Sequence, residues 1–243
     1  MPQRQSHRGK HPQDAALFSD AHARAKWLPV LHKAVADFSY LLTRGYSDAA
    51  ALKLVGDHYQ LHARHRVALA RAACSDDAMA RRKAHETAAP DIAGRRLLID
   101  GYNVLISVES ALSGGVLIRG RDGCIRDIAG IHGSYRKVIE TLPALQLIGE
   151  TLSGLGVAEC MWYLDAPVSN SGKLASVMRD QADQHGWMWV VALEPDPDRI
   201  LERSDAIVVT TDSIVLDRAQ KWLNLMPIVL QVTGNRDCLI DLA

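Results

Sequence analysis

Four short apolar runs in this 243-residue sequence end on carboxylates. RLLID ends on Asp100, in the stretch RRLLIDGYNVL, and AECMWYLD ends on Asp165. GWMWVVALE runs into Glu194-Pro195-Asp196-Pro197-Asp198, and DAIVVTTD ends on Asp212, with Ser213 next. One such acid would mean little, because loop starts are often acidic. Four in succession put negative charge in one place if the runs are parallel strands, since an open parallel sheet binds ligands outside the carboxyl ends of its strands. Clustered carboxylates repel one another unless a cation neutralises them. Oxygen donors without paired cysteines or clustered histidines favour Mg2+ or Mn2+ over zinc. A hard cation so held activates water and stabilises the leaving oxygen of a phosphodiester, with no need of a side-chain nucleophile. The candidate ligands are Asp100, Asp165, Asp212 and either Asp196 or Asp198, with Asn103 and Ser213 as polar neighbours. Asp205 precedes its run by seven residues, roughly 20 Å from Asp212 at ~3.3 Å per residue, and is expected away from the site. Asp217, one helical turn beyond Ser213, is expected at the rim through a water.

The elements that must position these acids change character along the chain. Residues 12 to about 86 carry helical spacing. Leu28, Leu31, Val35, Phe38 and Leu42 form one amphipathic face, Gly45 ends that helix, and Ser47 and Asp48 begin a second. ARHRVALARAAC reads as a third helix, with Arg64, Arg66 and Arg71 near one side, in the manner of a helix-turn-helix unit. RRKAHETAAPDIAGRR is polar and broken by Pro90 and Gly94, which reads as a linker. From residue 97 short unalternated apolar runs (96–100, 158–165, 186–194, 205–212 and 226–232) alternate with helical stretches, the pattern of a parallel sheet covered on both faces. The expected organisation is a basic all-α domain over 1–90, a linker over 91–96, and an α/β domain over 97–243. The latter is a three-layer αβα fold with a mostly parallel sheet of about five strands. Residues 106–134, Gly-rich and long, read as a loop inserted after the first strand.

Charge follows the same division. Residues 1–96 hold 16 Lys+Arg against 9 Asp+Glu, a net of +7, and residues 97–243 hold 12 against 19, a net of −7. A basic part joined to an acidic one suggests polyanion attraction by the first and cation binding by the second. The four cysteines (Cys74, Cys124, Cys160, Cys238) are scattered without C-x-x-C spacing, so neither a zinc site nor a disulfide framework is expected. No apolar stretch reaches bilayer length, and no apolar run follows the basic N-terminus, which points to the cytoplasm and away from the membrane. VSNSGKL fails the nucleotide-binding pattern G-x-x-x-x-G-K-[ST] at Pro167 and Leu174, although Ser169–Gly172 and Lys173 suit a phosphate at a helix start. Gly101-Tyr102-Asn103-Val104 lacks the glycines of a dinucleotide fingerprint.

LLIDGYNVL, followed by strands ending WYLD and VVTTDS, resembles the PIN-like nucleases, above all the NYN-type branch with its I-D-G-x-N opening. The two-part layout is also similar to an uncharacterised prokaryotic family that joins a small helical domain of unknown function to a PIN-like domain. The resemblance covers most of 97–243 and implies a Mg2+- or Mn2+-dependent ribonuclease. It matches Asp100 to the first acid, Asn103 to the asparagine beside it, Asp165 to an acid after the second strand, and Asp212 to the acid of the T-x-D strand end. Asp196 or Asp198 matches the acid at the start of the next helix.

The expected function is therefore a metal-dependent ribonuclease or RNA-processing factor. Asp100, Asp165, Asp212 and Asp198 or Asp196 hold Mg2+ or Mn2+, with Asn103 at the reacting site. RNA is the expected partner, gripped by Arg64, Arg66 and Arg71 of the helical part, and by Lys173. The Gly- and Arg-rich segment adds Arg119, Arg121 and Arg126, with His132 and Arg136. The sequence leaves a homo-oligomer open. Two other classes fit the same residues: a non-catalytic RNA- or partner-binding regulator, and a metal-dependent phosphatase acting on a small molecule.

Overall fold

The computed structural model of the protein describes residues 7–9, 14, 18, 20–129, 135–234 and 238–243. Its N-terminal part is helical: α1 (Ala21–Thr43), α2 (Asp48–His58), α3 (Ala63–Ala72) and α4 (Asp76–His85). Asp20 caps α1 by accepting the Ala23 N–H, and Leu31, Ala34, Val35 and Phe38 make its buried stripe. After a 3-10 turn over Ala89–Ile92, the chain enters β1 (Arg96–Asp100) and passes directly into α5 (Gly101–Ser113). Then follow β2 (Leu117–Arg119), β3 (Ile125–Asp127), α6 (Thr141–Gly154), β4 (Glu159–Asp165) and α7 (Ser171–His185). The remaining elements are β5 (Trp189–Glu194), α8 (Pro197–Glu202), β6 (Ile207–Val209), α9 (Ser213–Leu216), β7 (Trp222–Leu223), α10 (Leu225–Thr233) and β8 (Leu239–Asp241).

The main sheet has five parallel strands in the order β5-β4-β1-β6-β7. Both faces of its centre are covered, which explains the unalternated apolar runs. On one face Leu97, Ile99, Trp162, Leu164 and Val191 pack against α5, α6, α7 and α10 through residues such as Val104, Leu145, Ile148, Met178 and Leu230. On the other, Leu98 and Val208 pack against Leu201 of α8 and Val215 of α9. The chain builds outward from β1 to β4 and β5, then returns to the other side of β1 for β6 and β7. The strand order reverses between β1 and β6, and the crevice outside their carboxyl ends is where an open α/β sheet binds ligands.

Three sequence expectations are corrected here. Residues 106–129, the described part of the segment read as 106–134, are not a loop set apart from the core. The chain stays helical to Ser113 because Val104, Leu105, Val108 and Ala111 continue a buried stripe, and Gly114 ends the helix at φ +74°. A β2–β3 hairpin follows and pairs with β8 in a second, three-stranded sheet. MPIVLQV, expected as the fifth strand, lies in α10, with Leu225, Met226, Val229 and Leu230 buried at helical spacing and Val232 exposed. Pro227 sits in its first turn, where a missing N–H costs nothing. The fifth strand is the two-residue β7, inside a stretch expected to be helical. Residues 91–96 are not a free linker either. Ile92 is wholly buried, the Gly94 N–H donates to the Gly156 carbonyl, and the Ala158 N–H donates to that of Arg95.

The helical part and the sheets share packing. Leu31, Val35, Phe38 and Leu69 form one apolar cluster with Val116, Ile118, Ile128, Ile240 and Leu242 of the second sheet and its flanks. Arg82 of α4 reaches into the α/β part, and the Trp222 indole donates to its carbonyl.

Candidate functional site: an acidic crevice at the sheet edge

Asp100 ends β1 and is the N-cap of α5, its carboxylate accepting the Asn103 N–H. The turn from strand to helix leaves no room for a side chain at position 101. A Cβ on Gly101 would stand 2.5 Å from Leu164 Cδ2 and 2.7 Å from the Tyr163 carbonyl oxygen. Glycine is therefore required by the close approach of β4, not by a left-handed backbone. Asp100 is 6% exposed, and its Oδ2 accepts the Thr210 hydroxyl at 2.7 Å. The same Thr210 oxygen accepts the Asp212 N–H at 3.0 Å, so one hydroxyl links the first and last acids across the crevice. Asn103 adds a second link, its carbonyl oxygen accepting the Thr211 N–H at 2.8 Å and the Thr211 hydroxyl at 3.0 Å. Thr210 and Thr211 are the residues that sequence reasoning passed over. Their signal was the pair of hydroxyls directly before Asp212.

Asp212 caps α9, its Oδ1 accepting the Ile214 and Val215 N–H groups. Asp196 caps α8 by accepting the Arg199 N–H. Asp198 carries no hydrogen bond or ion pair among the described residues and feels the other acids most. Burial raises its pKa first, and the charges of Asp212, Asp165, Asp196 and Glu202 push further, to about 6. Asp100 rises to about 7, mainly by burial, with added repulsion from Asp198 and Asp212 and partial relief from the Thr210 hydroxyl. Asp165, half-buried, is raised by burial and by Asp196. The choice left open within Pro195–Asp198 thus falls electrostatically on Asp198, with Asp196 as helix cap and near neighbour. The Tyr102 hydroxyl, buried and without a hydrogen-bond partner, is pushed up to about 12 by burial and then by the Asp165 charge.

The five acids are gathered but not closed into a cage. Among the described residues, no three His, Cys, Asp or Glu side chains stand close enough together to hold a metal ion unaided. Mg2+ asks for less, because it keeps several waters and is held through one or two carboxylates together with substrate phosphate oxygens. Among the described residues, Asp198 is uncommitted, Asp212 has its Oδ2 free of hydrogen bonds, and the Tyr102 hydroxyl is a donor left for water or ligand. All-oxygen donors crowded at one sheet edge suit a hard cation.

The loop carrying Asp212 is braced from beneath. Arg126 donates through Nε to the Thr211 carbonyl at 2.7 Å, and Arg82 donates through Nη2 to that of Ser213 at 3.2 Å. Both guanidinium groups also hold Asp122, at 2.6 Å each, and all three side chains are 3% exposed or less. Asp217 pairs with Arg82 at 2.8 Å, so it belongs to this brace and not to the rim of the crevice. Asp205 lines a cavity with Arg95, Arg96 and Lys221, residues at or just before the N-terminal ends of β1, β6 and β7, at the edge opposite the acids.

The cations assigned to nucleic acid are less available than their charge count suggests. Arg126 is a core residue, which corrects its assignment to a phosphate contact. Arg64 pairs with Asp14, Arg66 with Asp57, Arg119 with Asp241, and Arg121 with Asp76. Buried His65, Ala68, Leu69 and Ala72 turn one side of α3 into the core. Formal charge records the residues and not their pairing. Arg71 and Lys173 carry no ion pair among the described residues, and His132 lies outside those residues.

Strand order and acid placement define the class: an α/β protein with a parallel sheet, helices on both faces, and an acidic crevice where the strand order reverses. Residues 89–227 match the family described as Domain of unknown function (DUF5616), and the chain belongs to it. Residues 30–85 match Protein of unknown function (DUF434). The uncharacterized protein MJ0935 of Methanocaldococcus jannaschii is 32% identical over 186 residues, covering 76% of this chain and 88% of that protein. No solved structure matches the chain. Among the described residues, no helix is long and apolar enough to cross a membrane.

Proposed function

We propose that the protein is a metal-dependent phosphodiesterase acting on RNA, with Asp100, Asp198 and Asp212 at the reacting edge. One observation carries this reading: buried Asp100 is tied through Thr210 to the Asp212 strand end and repelled by Asp198, in the crevice where the sheet order reverses. Asp198 and Asp212 would hold Mg2+ or Mn2+, with Asp165 and Asp196 adding negative charge. A cation bound there supplies an acidified water and charge neutralisation at a phosphate. Asp100, shielded from solvent, would join them at the cation once it loses its proton near neutral pH. Asn103 and Thr211 hold β1 and the Asp212 loop in register, so the two acids keep one spacing. Tyr102 offers its hydroxyl to a phosphate oxygen or water near Asp165.

A second reading is favoured by one specific observation. No three ligands converge among the described residues, as expected of a site that binds RNA without cutting it. Incubating the protein with Mn2+ and, in parallel, single-stranded RNA and p-nitrophenyl phosphate separates the classes. Cleavage of RNA that EDTA abolishes supports the proposal. RNA binding without cleavage supports the regulator, and turnover of p-nitrophenyl phosphate alone supports a phosphatase.

A further inference from the structure

We infer that a cavity beside the acidic crevice is a nucleoside-phosphate pocket. It encloses about 320 Å3 between the segment entering α6 and the start of α7. That volume is at the small end of ligand pockets, ~300–1,000 Å3, which suits one nucleotide. Leu174, Val177 and Tyr135 give it an apolar lining, and Arg136, Lys137 and Lys173 stand around it. These three cations are exposed and make no ion pair among the described residues. An apolar surface beside three uncommitted cations is the chemistry that takes a flat ring at one end and a phosphate at the other.

The cavity and the crevice share one sheet edge. The cavity wall begins at Asn170, five residues after Asp165 ends β4, and the Ser169 carbonyl accepts the Tyr135 N–H. Tyr102 joins the two places. Its ring centroid lies 5.4 Å from that of Tyr135, and its unpartnered hydroxyl lies near Asp165. Asn170 has φ +70° and turns its amide to the Tyr135 carbonyl instead of capping α7, leaving that helix start without a side-chain cap. On the ribonuclease reading, the pocket holds the nucleotide next to the one whose phosphate lies at the acids. The identification of RNA as its source rests on that reading. The preference for a nucleoside phosphate does not.

Calorimetric titration in EDTA with AMP, adenosine and inorganic phosphate tests the pocket without any cleavage. AMP is expected to bind one to one, with adenosine and phosphate each at least tenfold weaker. Arg136→Gln/Lys173→Gln lowers AMP affinity at least tenfold, its melting temperature unchanged because both side chains are exposed. Asp100→Asn leaves AMP affinity unchanged. No AMP binding, adenosine or phosphate binding as tightly as AMP, or AMP affinity unaltered in the double variant overturns the inference. AMP binding by a protein that cuts no RNA sinks the ribonuclease reading and keeps the pocket. Metal-dependent RNA cleavage without AMP binding does the reverse.

Discussion

Replacing Asp122 with asparagine tests how the two parts of the chain are held together and how the Asp212 loop is braced. The carboxylate accepts from Arg82 Nη1 at 2.6 Å, from Arg126 Nη2 at 2.6 Å and Nη1 at 2.9 Å, and from the Cys124 N–H at 3.1 Å. Asparagine keeps the shape and removes the charge, so two guanidinium groups that are 3% exposed lose their common counterion. Removing one partner of a buried pair costs about 3–5 kcal/mol. In a chain of this size that lowers the melting temperature by roughly 10 °C, at about 2–4 °C per kcal/mol. The pH dependence gives a second reading. Burial works to raise the Asp122 pKa, but Arg126 and Arg82 outweigh it and hold the group at about 2 against 3.8. A folded pKa below the unfolded one gives stability that is complete above 3.8 and lost as pH falls through about 2, roughly 2.5 kcal/mol in all. Urea unfolding of wild type should show that loss between about pH 4 and pH 2, and Asp122→Asn should not. A loss below about 1 kcal/mol at pH 7, or wild-type stability flat over that acid range, refutes the brace.

Three further outcomes follow from the same geometry. Gly101→Ala drives a methyl into Leu164 and the Tyr163 carbonyl, and should cost about 1–3 kcal/mol in urea unfolding; an unchanged midpoint would contradict the close approach. Mn2+ affinity, read from the spin-resonance signal of free Mn2+, should rise as pH increases through about 6 and about 7, because Asp198 and then Asp100 must lose their protons before a cation is fully held. An affinity that is flat or falls with pH counts against these acids as ligands. Asp198→Asn should weaken Mn2+ at least tenfold and Asp196→Asn much less, since Asp196 already caps α8; equal effects would contradict the assignment.

What the sequence disclosed depended on which signals were local. The ends of β1 and β4 were legible because each is a short apolar run halted by an acid, with a helix following at once after β1 and after a five-residue turn beyond β4. The α10 segment was not, because a seven-residue apolar run has no period that separates buried strand from buried helix, and only the packing of Val229 and Leu230 decides. β7 has two residues and exists through its pairing with β6. Within the site, the acids could be found one by one, while the Thr210 and Asn103 links depend on β1 and β6 lying side by side. The arginines' partners were hidden for the same reason: Asp14, Asp57 and Asp76 lie between 9 and 50 residues from Arg64, Arg66 and Arg121 in sequence, beyond the reach of pattern reading.

The central claim is that Asp100 and Asp212 act together on a phosphodiester through a divalent cation. Single-turnover cleavage of a labelled single-stranded RNA with Mn2+ tests it, comparing wild type with Asp100→Asn and Asp212→Asn, substitutions that retain an oxygen acceptor for the Thr210 hydroxyl and for the α9 cap. The account predicts EDTA-sensitive cleavage by wild type and a loss of at least about a hundredfold in each variant at unchanged melting temperature, the scale of removing an electrostatic stabiliser. Wild-type cleavage that survives in either folded variant, or no metal-dependent cleavage at all, contradicts it.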